Sequence, residues 1–386
     1  MTDTSWLEID LAAVDANLAA MRDAAGPGVA ICAVVKANAY GLGAVQVAKR
    51  LSADGVELLA VYDMDEAREL TQAGVPTPLL MLMPIHRIER TDVLYRAMVA
   101  HRLHLVVHSE RQLVDVEQIG RTFGVPVPIH VELDSGMSRG GMSLDEASRV
   151  LPRTASMRYV RLAGVFTHPA SAATSIAMTN RQMHLLDQLL DRNADALRPD
   201  TQVHFANTYA TLRDRKYHRD MIRVGLGLYG YGQDAISGST AAGVAPLRHA
   251  VRWVSRVVHI QRVASGSPVG YNATFTTWRD SVLGIVPAGY GLGYPVALTG
   301  RGAVRVGPRL QTAEVRGQVN MDQIIIDLTE VADPHVGMSV EIYGADPDAA
   351  NAIPAVADAA RTNPYEILCR LADRLPRRYL TQKPTA

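Results

Sequence analysis

Short apolar runs recur along the first two-thirds of the chain, and polar, helix-like stretches separate them. In order they read AICAVVKA, ELLAVYD, PLLMLMP, LHLVVHS, PVPIHVELD, LAGVFTH, TQVHFAN and MIRVGLGLYG. Within most of them apolar residues follow one another instead of alternating with polar ones, which predicts strands buried on both faces. Between them lie amphipathic segments such as DEARELTQAG and SERQLVDVEQIGRTFG, apolar near helical spacing and closed by glycine. Doubly buried strands alternating with helices predict a parallel sheet. Eight of them within about 200 residues predict a (β/α)8 TIM barrel. The alternative, an open doubly wound sheet, lacks its G-x-G-x-x-G after the first strand.

The pattern changes near residue 240. DAISGSTAAGVAP reads as a linker, and the runs beyond it are broken by Gly and Pro: HAVRWVSRVVHIQRVASG, DSVLGIVPAG, GAVRVG, EVRGQVNMDQIIIDLTE and MSVEIYG. These predict a mainly antiparallel β domain, with one late helix over YEILCRLADRL. The fold class is therefore α/β, an N-terminal (β/α)8 barrel over residues 10–240 followed by a C-terminal β domain over 241–386. The N-terminal strand, residues 1–9, joins the β domain. No internal repeat suggests a solenoid.

Composition narrows the function. Of 386 residues, 48% are hydrophobic and 20% charged, as in a globular protein. The 39 basic and 39 acidic residues cancel, which removes the electrostatic footprint of a nucleic-acid or anionic-membrane binder. No apolar run approaches the ~20 residues of a membrane span. MTDTSWLEIDLAAVDANL carries acids where a signal peptide needs cations, so the expected location is cytoplasmic. The two cysteines, Cys32 and Cys369, have no metal-ligand spacing and are expected to be packing residues, and no metal site is expected.

The first apolar run ends in Lys36 and continues as ANAYGLG. An unpaired buried ammonium is costly, so such a lysine reaches water, finds an anion or loses its proton. A neutralised lysine beside an amide-rich turn is what an aldehyde cofactor carrying a phosphate requires. Barrel enzymes work at the C-terminal ends of their strands. Those ends supply Lys36 and Tyr40, Arg139, His168, Asn207 and Thr208, then Arg223 with Gly225. Each has an ordinary reading: Arg139 could be a surface cation, His168 a core histidine, RVGLGLYG a turn without a ligand. Together they gather a lysine, a histidine, two arginines and amide-rich loops on one rim.

VVKANAYG, LDSGMSRGG, FTH, HFANTYATL, RVGLGLYG, VGYNATFTT, PAGYG, NMDQ and NPYEIL fall in the order and spacing of one family over essentially the whole chain. The sequence resembles the alanine racemases. The resemblance implies a pyridoxal 5'-phosphate enzyme working as a homodimer with shared active sites on a small amino-acid substrate. It implies that Lys36 carries the cofactor and is the base for one face of the substrate, and that Tyr271, from the partner subunit, is the base for the other. His168 would tune Tyr271, and Arg223, supported by His204, would face the pyridine nitrogen. Tyr40, Asn207, Thr208, Tyr365 and the amides of Gly225 and Leu226 would complete the cofactor site. Arg139 and the Met321 amide would receive the substrate carboxylate, with Asp322 beside them and Tyr290 at the entrance.

The chain departs from the family pattern at several positions. Glu132 stands where some members carry a carbamylated lysine, and its carboxylate is expected to position Arg139. Leu42, Ala173, Val296, Gln318, Asn320 and Asn363 replace usual entrance and loop residues. Those changes leave open a racemase for serine or a larger, polar amino acid. Two other classes compete less well. Barrel decarboxylases that use the same cofactor resemble a scheme with a carboxylate, not Arg223, at the pyridine nitrogen. Non-catalytic binders of the cofactor are usually a barrel alone.

Overall fold

A computed structural model describes residues 4–236 and 243–381. The middle of the predicted linker, residues 237–242, lies outside the described residues. The chain divides into two compact units. One comprises Asp15–Ala39 and Ala44–Leu247; the other comprises Met1–Val14, Tyr40–Gly43 and Arg248–Ala386.

The chain opens with strand β1 (Ser5–Asp10), which belongs to the second unit. The first unit is a closed parallel barrel of β2 (Ala30–Val34), β3 (Leu58–Val61), β4 (Leu79–Met81), β5 (Leu103–Val107), β6 (Val127–Glu132), β7 (Val160–Phe166), β8 (Gln202–Asn207) and β9 (Met221–Val224). Each coincides with one of the eight apolar runs, β7 starting two residues before LAGVFTH, and β2 closes the ring against β9. Cys32, Leu58, Ala60, Leu80, Val106, Phe166 and Met221 pack together as a buried cluster. The intervening helices begin and end where side chains dictate. Asp63 accepts from the amides of Asp65 and Glu66 to start Met64–Gln72, and Ser109 caps Glu110–Phe123. Gly124, at φ 74°, ends the latter helix in the left-handed conformation.

The second unit adds β10 (Val251–Arg256), β11 (His259–Val263), β12 (Pro268–Val269), β13 (Phe275–Thr276), β14 (Ser281–Val286), β15 (Ala303–Val306), β16 (Gln311–Arg316), β17 (Ile324–Asp327), β18 (Ser339–Tyr343) and β19 (Arg377–Leu380). Among the described residues they form a nine-stranded sheet ordered β11-β14-β17-β16-β15-β18-β10-β1-β19, with β12 and β13 paired separately. Its pairs are antiparallel except β1 with β19.

Three local readings are corrected. HAVRWVSRVVHIQRVASG is two strands, because the Val257 amide bonds Met338 while the Val258 amide bonds Ile285, carrying the chain from one partner strand to another. The late helix stops at Cys369. Beyond it the Ala372 amide turns to the Leu292 carbonyl, and Arg377 gathers the carbonyls of Ala372, Asp373 and Leu375. Cys32 is buried in β2, as a packing residue should be, but Cys369 is exposed at that helix end.

Candidate active site

Lys36 stands two residues beyond the end of β2, half-buried, with its Nζ 5.8 Å from the centre of the Tyr62 ring. The backbone beyond it is unusual. Ala37, Asn38, Ala39 and Tyr40 all lie in the left-handed region, with φ between 51° and 54°. Left-handed backbone costs about 1–2 kcal/mol at each non-glycine residue, so this turn must be held from outside. Glu66 does so by accepting from the amides of Ala37 and Tyr62, both at 2.6 Å, while Asn38 Oδ1 accepts from the Ala44 amide. The amide-rich turn read from ANAYGLG thus begins on residues that carry side chains, ahead of its glycines.

Arg223, in β9, is the buried centre of the barrel's polar residues, 5% exposed. Its Nη1 donates to His204 Nδ1 at 2.9 Å. Its Nη2 donates to the carbonyls of Thr167 and Phe205 and lies 3.3 Å from His168 Nδ1. Its guanidinium also lies 4.9 Å from the centre of the Phe166 ring. Burial lowers its pKa to about 10, so it remains a cation at neutral pH. His168 follows β7 on a segment pinned by Gln182, whose Nε2 donates to the His168 carbonyl and to Ser135 Oγ. Burial, then repulsion from Arg223, Arg139 and Lys36, holds His168 well below its ordinary pKa. An arginine can only donate, so neutral His168 accepts at Nδ1 and carries its proton on Nε2.

Arg139 projects from the loop after β6, exposed. Asp134 organises that loop, accepting at one oxygen from the amides of Gly136, Met137 and Ser138. Burial alone would raise the Asp134 carboxyl; the three amides outweigh it and hold it low. Glu132 does not take up the role expected of it toward Arg139. Its carboxylate lies 2.8 Å from His108 Nδ1.

The ends of β8 and β9 form an amide-rich cradle. The amides of Gly225 and Gly227 both point to Thr208 Oγ1, at 3.4 and 3.2 Å. Asn207 accepts from the Ala210 amide and so fixes the chain at Thr208. Leu226 is buried in the following turn, and a Cβ on Gly227 would lie 2.9 Å from Thr208 Cγ2. Two glycine amides, a hydroxyl, a strand-end lysine and a buried arginine are a donor set that fits a phosphorylated pyridine aldehyde.

The other expected residues lie in the second unit. Tyr40 and Tyr365 meet there, with ring centres 5.5 Å apart. The loop carrying Tyr40 is fixed by Arg377, which donates to the Gly41 carbonyl, and by the Tyr379 hydroxyl, which donates to Leu42. Gly43 has no room for a side chain, since a Cβ would lie 1.8 Å from that hydroxyl. Tyr271 is 67% exposed on a short turn after Gly270, and Met321 and Tyr290 are also exposed. Asp322 is paired with Arg374 at 3.2 Å. Asn363 has a structural task, because its Oδ1 caps the helix Pro364–Cys369. Gln318 accepts from Asn272, and Tyr290 and Val296 share a cavity of about 590 Å³ with Thr362 and Glu366. Among the described residues no cluster suits a metal ion, and no helix is long and apolar enough to cross a membrane.

Two family models match the chain. The alanine racemase N-terminal domain covers residues 9–233, and the alanine racemase C-terminal domain covers residues 250–379. The chain belongs to the alanine racemase family. A relative in Halothermothrix orenii, named alanine racemase, is 32% identical over 383 residues, covering 98% of this chain and 97% of its own. The crystal structure of alanine racemase from D-cycloserine-producing Streptomyces lavendulae superposes with a TM-score of 0.86 at 29% identity, covering 99% of this chain and 98% of that one. Alanine racemase from Bartonella henselae, described with covalently bound pyridoxal phosphate, gives a TM-score of 0.83 at 25% identity, covering 98% and 99%.

Proposed function

We propose that the chain interconverts L- and D-alanine with pyridoxal 5'-phosphate held on Lys36, using one base on each face of the substrate. The observation that carries this reading is the buried, charged Arg223, held by His204 and His168 within the same barrel as Lys36 and the Gly225–Thr208 cradle. Lys36 would hold the cofactor, Arg223 would face its pyridine nitrogen, Thr208, Tyr40, Tyr365 and the amides of Gly225 and Leu226 would hold its phosphate, and Asn207 would complete the cofactor site. When bound, the cofactor supplies an electron sink for the substrate's α-carbon. A permanently protonated guanidinium keeps the pyridine nitrogen unprotonated, which moderates that sink.

Racemisation removes the α-proton from one face and returns a proton to the other, so it needs two bases. Lys36 would take or return the proton on one side, and Tyr271 of the partner subunit would do so on the other. The Nε2–H of His168 suits a hydrogen bond to that phenol, which is otherwise a weak base at neutral pH. Arg139 and the Met321 amide would hold the substrate carboxylate. Asp322 would stand beside them through its pair with Arg374, and Tyr290 would line the entrance. A homodimer with shared sites accounts for Tyr271, Trp278, Tyr290, Val296 and Met321 standing exposed on the second unit.

A second reading, racemisation of serine or another polar amino acid, is favoured by Asn320, whose Oδ1 is buried without a partner beside Met321. A hydroxyl on the substrate would satisfy it. Borohydride treatment of the pyridoxal-loaded protein should attach a pyridoxyl group to the peptide containing Lys36; a label on another peptide would refute the assignment. Mixing Lys36→Ala with Tyr271→Phe under subunit exchange should restore activity, since a heterodimer holds one intact site. Persistent inactivity after proven exchange would argue that each site is built within one chain.

A further inference from the structure

Three imidazoles extend inward from Arg223 through the barrel. Beyond its contact with Arg223, His204 places Nε2 2.9 Å from His130 Nδ1. His130 in turn places Nε2 2.9 Å from His104 Nδ1. The direction of this chain is determined at one end. A guanidinium has no acceptor, so His204 must accept at Nδ1 and donate from Nε2. His130 then accepts at Nδ1 and donates from Nε2, and His104 accepts in its turn. The chain begins near the C-terminal end of β9 and ends at the second residue of β5, toward the opposite mouth of the barrel.

The barrel is shaped around these rings. The pairing of β6 with β7 shifts register between Ile129 and His130, and that of β8 with β9 shifts between His204 and Asn207. Such irregularities re-aim side chains that regular pairing would direct elsewhere. Gly164 of β7 leaves the space His130 occupies, since a Cβ there would lie 2.3 Å from His130 Nδ1. Phe166 stacks on His204, with ring centres 4.6 Å apart and planes 7° from parallel.

We propose that His130 and His104 are positioning residues for Arg223, forming with His204 a one-way hydrogen-bond chain that orients the guanidinium and keeps every ring neutral. An imidazole that donates onward becomes a better acceptor, so each link strengthens the one before it. A second proton on His204 or His130 would displace the donor at Nδ1 and break the chain. Burial, the leading influence on all three rings, also drives their pKa values down, that of His104 to about 4. The connection to the pyridine nitrogen rests on the proposed function; the chain itself stands on the protein's own residues.

Nuclear magnetic resonance of the full chain, labelled with ¹⁵N-histidine and loaded with pyridoxal phosphate, tests this directly. His104, His130 and His204 should each show a bare Nδ1 and a protonated Nε2 from about pH 8 to about pH 5.5. Scalar coupling should cross both N–H···N links. In His104→Leu the His130 Nε2–H loses its acceptor, so its ring signals should shift and the coupling between His204 and His130 should weaken. His104→Gln, whose carbonyl can accept from His130, should restore the native pattern. A purely packing role would leave the His130 and His204 signals unmoved in His104→Leu, and that result would overturn the proposal. So would a proton on His130 Nδ1 in the unmutated protein, a measurement that does not depend on any variant folding. If the cofactor reading alone fails, borohydride labels another residue while these tautomers persist.

Discussion

Nη1 of Arg223 and Nδ1 of His204 stand 2.9 Å apart, and both residues are buried. Each determines the state of the other. The neutral ring accepts from the cation, and the cation adds to the burial that keeps the ring neutral. His204→Leu should therefore leave a buried guanidinium short of one acceptor, at a cost of about 1–3 kcal/mol. His204→Gln, which keeps an acceptor, should lose less. Urea unfolding of the three proteins checks this, and equal stability of His204→Leu and the parent would contradict it.

Acid should destabilise the fold earlier than carboxylate titration alone would. His104, His130, His168 and His204 all have folded pKa values below 6.5, chiefly because burial penalises the charged ring. An unfolded histidine takes up its proton near 6.5, so below that pH the unfolded chain binds more protons than the folded one. Stability is thus complete above about pH 6.5 and falls as pH falls; for His104 the window extends to about 4. Melting temperatures should decline from about pH 7 to about pH 5, and His104→Gln should flatten the slope by about one proton. A flat profile would contradict the assignment.

Gly164→Ala probes the space around the chain of rings. The added methyl would lie 2.3 Å from His130 Nδ1 and 2.9 Å from the Gln202 carbonyl, so ring or strand must move. Overpacking of this kind costs about 1–3 kcal/mol. Thermal unfolding should show the loss, and the His130 tautomer should become mixed. An unchanged melting temperature would mean the barrel yields there more easily than its packing implies.

Much of this arrangement was legible in the residue pattern. The eight barrel strands stood out because doubly buried strands leave long apolar runs, and Arg223, His168, Thr208 and Gly225 stood out because strand ends carry chemistry in a barrel. What escaped depends on tertiary geometry. His130 and His104 sit inside apolar runs, PVPIHVELD and LHLVVHS, where a histidine reads as an ordinary core residue. The available signal was a histidine in the interior of three runs, LHLVVHS, PVPIHVELD and TQVHFAN, and only closure of the barrel turns that into a chain. The left-handed turn over Ala37–Tyr40 leaves no trace, because alanine and tyrosine do not favour it and Glu66, which holds it, is distant in sequence. Glu132 was assigned to Arg139 and lies against His108 instead, and Asn363, read as an entrance residue, caps a helix. Both are choices of partner, which spacing alone does not determine.

The most direct test of the account is chiral analysis of alanine incubated with the pyridoxal-loaded protein. L-alanine and D-alanine should each approach the same equal mixture. Lys36→Ala and Tyr271→Phe should each lose activity by about 10²-fold or more, as removal of a general base does. The same assay on serine and longer polar amino acids, compared as kcat/KM, separates the two substrate readings. Failure to racemise any of these amino acids, or undiminished activity in Lys36→Ala, would contradict the account.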